Sequence, residues 1–142
     1  MIPATTQKTL RLFSIVLLFL IGVLALAGGL RMIGDPQGKA LGWSTEMLKY
    51  SPFDNYLISG FVLFVMNGMV SMSIAIVGIK KAKYYPLWIV LHGYILTCWI
   101  LIQVIMIKHF NLPHLICGIA GILFIATGIF LMKYFMRNEL SA

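Results

Sequence analysis

Charge is scarce in this chain, and acidic charge is scarcer still. Only 11% of the 142 residues are charged, and four Asp or Glu face eleven Lys or Arg. Soluble domains carry about 25% charged residues and roughly 45–50% apolar ones, so a 61% hydrophobic composition leaves too little polar surface to cover a water-soluble core. The formal charge of +7 does not point to nucleic acid. The basic residues stand at the ends of apolar runs and build no basic face. Only two cysteines are present, Cys98 and Cys117. Both lie inside apolar runs, which excludes the loop framework of a disulfide-stapled secreted domain. A Ser-His-Asp arrangement, a phosphate loop, a Cys-x-x-Cys pair and an HExxH motif are all missing, so no catalytic residue and no cofactor are expected.

What the chain does have is four apolar runs, at about 12–30, 56–79, 87–107 and 113–132. Each approaches the ~20 residues a helix needs to cross a hydrocarbon core. The expected fold is all-α: a single integral membrane four-helix bundle with the lipid bilayer as its solvent. The first run has a competing reading as a cleaved signal peptide, with Lys8 and Arg11 ahead of it and Ala25-Leu26-Ala27 near its end. The basic head, the Lys80, Lys81 and Lys83 connector and the basic tail share one side. By the positive-inside rule both termini are then cytoplasmic.

The long interruption at 31–55 contains three of the four acids, Asp35, Glu46 and Asp54. Asp35-Pro36-Gln37-Gly38 reads as a chain reversal. Ser44 reads as the cap of a short interfacial helix at 45–49, beside Trp43 and bearing Met47. Ser51-Pro52-Phe53-Asp54 reads as a cap followed by Pro at the first helical position, which predicts that the second helix begins at about residue 52. Turn and cap duties account for the three acids, whose spacing fits no calcium loop. Trp43, Met47, Phe53 and Asp54 are the expected contacts for a protein partner.

Within the apolar runs, Asn67, Ser71, His92, Trp99 and Gln103 form the one polar seam. His92 and Gln103 are eleven residues apart and return to nearly the same helical angle, with Trp99 between them. Depth matching across an antiparallel pair puts Ser71 level with His92, and Asn67 level with Trp99. The plain reading is adhesion between helices, at roughly 0.5–2 kcal/mol per polar contact. The sharper one is a polar cavity for a small ligand, a quinone or a transported solute. No acid accompanies the seam, as a proton or cation path would require. No metal site is expected: His109, His114 and Cys117 are competent ligands, but their spacing matches no metal signature. Haem would need a second deep histidine beside His92. Gly22, Ala25 and Gly29, like Gly118, Gly121 and Gly128, repeat at near-helical spacing, the mark of close helix approach within the bundle or between protomers. The methionines of the second run, Met66, Met69 and Met72, read as core filler.

The residues Gly28-Gly29, Gly34-Asp35-Pro36, Gly38, Leu41-Gly42, Leu48, Ser51-Pro52-Phe53 and the run from Tyr56 to Gly60 give the chain a further pointer. With four apolar spans around them, it resembles small uncharacterised bacterial inner-membrane proteins with four helices and a first outer loop. That resemblance implies a topology and a bacterial inner-membrane location, and brings no activity with it. The favoured functional expectation is a non-enzymatic accessory subunit, a homo-oligomer or part of a larger membrane complex, contacting its partner through the outer loop and glycine seams. The alternative is a small transporter or ligand-binding bundle that uses the polar seam. The topology is checked by fusing alkaline phosphatase or a fluorescent protein after Ala142: the fluorescent fusion lights up and the phosphatase stays inactive, whereas the reverse pattern refutes a cytoplasmic C-terminus.

Overall fold

The computed structural model describes residues 3–108 and 110–139. Four long helices carry the chain: α1 (Ala4–Gly34), α2 (Leu57–Ile79), α3 (Tyr85–Ile107) and α4 (Leu112–Glu139). No strand occurs among the described residues. All four are long and apolar enough to cross a membrane. Their outward faces are apolar as well, with Phe19, Leu24, Ile79 and Ile105 between 52% and 71% exposed. A chain in lipid must satisfy its backbone hydrogen bonds within each segment, and helices do so. The helices run past several of the predicted limits, α1 from residue 4 to 34 and α4 to 139, because polar ends stay helical beyond the hydrocarbon stretch that hydropathy marks.

Two antiparallel hairpins make up the bundle, and small residues set each crossing. In the first, a Cβ placed on Gly29 would lie 2.8 Å from the Phe64 nitrogen and 2.9 Å from the Gly60 carbonyl oxygen. One on Gly68 would lie 2.7 Å from Leu26. In the second, a Cβ on Gly93 would meet the Gly121 carbonyl at 2.8 Å, and one on Gly128 the Pro86 carbonyl at 3.0 Å. These glycine seams pack inside the chain. Only Gly118 of the fourth-helix set faces open space. The hairpins then join through Ser14, whose hydroxyl donates to Thr127 Oγ1 at 3.1 Å, and through Ser71 and His92.

Helix α2 is irregular where it matters. From Leu63 to Met69 it widens into a π-helical stretch, and the Val70 N–H donates to the Val65 carbonyl five residues back. Gly60 and Gly68 both press on α1 although eight residues separate them. In a regular helix they would diverge by about 80°. Absorbing one extra residue in a wide turn makes the separation equivalent to seven, about 20° from alignment. The π stretch therefore keeps both glycines on the same neighbour.

The connecting segment keeps the expected short helix and departs from expectation in one place. Thr45–Leu48 is a helix of the 3-10 type, capped by Ser44, whose Oγ accepts from the Glu46 N–H at 3.1 Å. The second helix begins at Leu57, not at residue 52. Ser51 Oγ accepts from the Phe53 N–H at 3.0 Å and donates back to the Phe53 carbonyl, closing a local turn instead of a cap. Asn55 Oδ1 takes over, accepting from the Leu57 N–H at 3.0 Å. The predicted reversal is present: the Gly38 N–H donates to the Asp35 carbonyl at 3.0 Å, with Gly38 at φ +77°.

The crossings predict opposite outcomes for two glycine-to-alanine changes. Gly29→Ala forces backbone apart and costs about 1–3 kcal/mol, whereas Gly118→Ala meets nothing and gains up to about 1 kcal/mol from helix propensity. Unfolding by denaturing detergent measures both, and equal effects would show that the Gly29 crossing is not tight.

Candidate functional site

Beneath the connecting segment lies a pocket of about 380 Å³, within the ~300–1,000 Å³ range of ligand sites. Its walls come from every helix: Ala25 and Gly28 of α1, Leu63 and Asn67 of α2, Trp99 and Gln103 of α3, and Ile116 and Cys117 of α4. Among the described residues no charged side chain lines it.

The roof is the connecting segment, folded back by Tyr56. This ring is 2% exposed and packs with Met32 and Leu48, and its hydroxyl donates to the Ser44 carbonyl at 2.9 Å. Trp43 leans on it with ring centroids 5.4 Å apart. The Tyr56 N–H donates to the Pro36 carbonyl at 2.9 Å, so one residue closes both ends of the loop. Gly38 is required beneath the ring, where a Cβ would come within 2.9 Å of Tyr56 Cε2. Asp35 Oδ2 accepts from the Ala40 N–H at 2.7 Å and holds the first turn. On the far side, Lys108 Nζ sits 3.7 Å from the centroid of Tyr50, a cation–π contact that ties the α3–α4 connector to the roof. Two of the expected partner contacts, Trp43 and Met47, line the pocket. Phe53 is half-buried and Asp54 is exposed.

The polar seam divides in two. Ser71 and His92, both fully buried, meet through a 2.6 Å hydrogen bond between Ser71 Oγ and His92 Nε2, in a core packed with Phe124. Neither residue reaches the pocket. Asn67, Trp99 and Gln103 do. Asn67 is 0% exposed, and neither its amide nitrogen nor its amide oxygen has a hydrogen-bond partner among the described residues. Trp99 Nε1 is also buried without one. At the start of α4 the Asn111 N–H donates to His114 Nδ1 at 3.2 Å, and the His114 N–H donates to the Asn111 carbonyl at 3.0 Å. Buried polar atoms nearly always have a partner, because leaving one bare costs about 1–3 kcal/mol. Two such groups, one of them a donor only, therefore stand in the wall of one apolar pocket.

His109 lies outside the described residues. His114 and Cys117 both line the pocket, and among the described residues no three His, Cys, Asp or Glu side chains gather as metal ligands. Residues that the sequence reading did not single out, Tyr56 and Ser59 from the α2 approach and Met32 from α1, complete the wall. Tyr56 stands at the start of the second apolar run, directly after the polar pair Asp54-Asn55. The π stretch that surrounds Asn67 has no signature in residue type.

Comparison with models of protein families, with curated proteins and with solved structures finds no match for this chain.

The two halves of the seam predict opposite stability effects. Ser71→Ala removes the buried Ser71–His92 hydrogen bond and costs about 0.5–2 kcal/mol, while Asn67→Leu replaces a bare amide with an apolar group of similar size and stabilises the ligand-free protein. Detergent-unfolding curves read both signs, and a destabilised Asn67→Leu would mean that Asn67 is satisfied in the bundle.

Proposed function

We propose that this chain is a multi-pass membrane protein that binds a lipophilic small molecule in the pocket under its roof. In this reading it sits in a bacterial inner membrane with both termini in the cytoplasm and the roof on the outer side. The bundle acts by binding, and none of its residues carries out a reaction. One observation carries the proposal: Asn67, wholly buried and unpartnered at both amide atoms, stands in the wall of an apolar pocket of about 380 Å³. On the packed side of the seam Ser71 and His92 bond to each other, leaving only His92 Nδ1 without a partner; Asn67 lacks one at both amide atoms and stands in the pocket wall. Contact with a second protein, the expectation that the sequence favours, retains Phe53 and Asp54 at the surface, but Trp43, Met47 and most of the glycines face inward. The balance therefore moves to the ligand-binding alternative.

The test uses 1-aminoanthracene, an uncharged apolar fluorophore, with the purified protein in detergent. It binds saturably at one site per chain, and Gly28→Phe and Cys117→Phe, which fill the pocket from α1 and α4, each remove that binding while the protein keeps its thermal transition. Partitioning that never saturates, or that both filled variants share, refutes the proposal.

A further inference from the structure

The pocket wall also specifies what kind of molecule fits, an inference that rests on the ligand-binding reading above. The unpartnered groups are mostly donors. Asn67 offers two N–H bonds and one acceptor oxygen, and Trp99 offers one N–H and no acceptor. They come from different helices, α2 and α3, onto one cavity. A carbonyl oxygen has two lone pairs and can take a hydrogen bond from each. A carboxylate or phosphate would bring a charge into a wall that has no Lys, Arg, Asp or Glu among the described residues, and an unpaired buried charge is far more costly than a bare dipole.

The shape adds the second half of the description. Across the top, Trp43, Met47 and Leu48 close the roof, with Leu48 only 4% exposed. At the side the wall is open: Leu24 of α1 and Ile116 of α4 both line the pocket, yet they are 65% and 48% exposed. These two helices meet at Ser14 and Thr127, far from that end. An opening flanked by exposed aliphatic side chains faces the hydrocarbon rather than water. The volume corresponds to about a dozen water molecules of liquid, enough for a head group and a short length of chain, with the remainder extending between α1 and α4.

We propose that the pocket takes an uncharged, carbonyl-bearing lipophile with an apolar tail, its carbonyl oxygen accepting from Asn67 Nδ2 and Trp99 Nε1 and its tail leaving between Leu24 and Ile116. Quinones and fatty amides share this chemistry, and the experiment separates them.

Four probes compete against 1-aminoanthracene on the purified protein in detergent at pH 8: decyl-1,4-benzoquinone, oleamide, oleate and octadecene. The quinone or the amide displaces the dye at about one-tenth the concentration that octadecene needs, and whichever of the two is stronger names the source. Oleate, ionised, falls with the hydrocarbon or below it. Asn67→Leu and Trp99→Phe each reduce the carbonyl preference about three- to tenfold and leave octadecene unchanged. Trp99→Phe keeps an aromatic side chain in place, so it answers the question even where Asn67→Leu perturbs packing. Equal displacement by octadecene, or a carbonyl preference that survives both substitutions, overturns the ligand class while leaving the pocket as a binding site. Absence of saturable dye binding by the unsubstituted protein overturns the ligand-binding reading itself, and this inference with it.

Discussion

Close approach of helix backbones through glycine is the constraint on which the rest of this bundle depends. In a hydrocarbon solvent, apolar side chains gain little by leaving lipid for protein, so helices associate through tight van der Waals contact and a few polar bonds. Gly29 against Gly60, and Gly93 against Gly121, bring the two hairpins to that distance. The first crossing carries a further demand. For Gly68 to remain on α1 after Gly60 has done so, α2 must absorb one residue, and it does this in the π stretch from Leu63 to Met69. Asn67 lies in that stretch. The polar group of the pocket is thus placed by the same adjustment that keeps the hairpin closed.

The division of the seam follows from depth. Toward the Lys80 end, the hairpins converge, and Ser71, His92 and Phe124 fill the space between them. Toward the roof they diverge, and Leu96, 1% exposed, forms part of the floor at which core gives way to cavity. Residues of one helical face, alike in sequence, therefore end in different surroundings. His92 belongs to the part that holds the helices together, and Asn67 and Trp99 belong to the part that leaves room.

Much of the fold was legible in the sequence because the medium enforces it. Runs near the length of a bilayer crossing mark helices whatever their neighbours, and the Asp35-Pro36-Gln37-Gly38 reversal is written in residues that favour it locally. The polar residues of the site were legible too, as a seam. What could not be read was their partition, since it depends on where two hairpins separate. The same limit explains the roof. Ser51-Pro52 has the form of a helix start, but Tyr56 is drawn back toward Pro36 and Ser44, and that tertiary pull delays the helix to Leu57. Trp43 and Met47 look like exposed contacts in a polar loop. They turn inward because a cavity with apolar walls lies beneath them.

The roof is anchored at both margins: at Tyr56, which leads into α2, and at Tyr50, whose ring holds the ammonium of Lys108 after α3. A cover fastened on two sides has little freedom to lift. In the ligand-binding reading proposed above, exchange of an occupant would run sideways, between Leu24 and Ile116, at a rate governed by how readily a chain slides into neighbouring acyl tails. Bilayer fluidity and temperature would control residence time there, and the ionic strength of the surrounding water would leave it almost untouched.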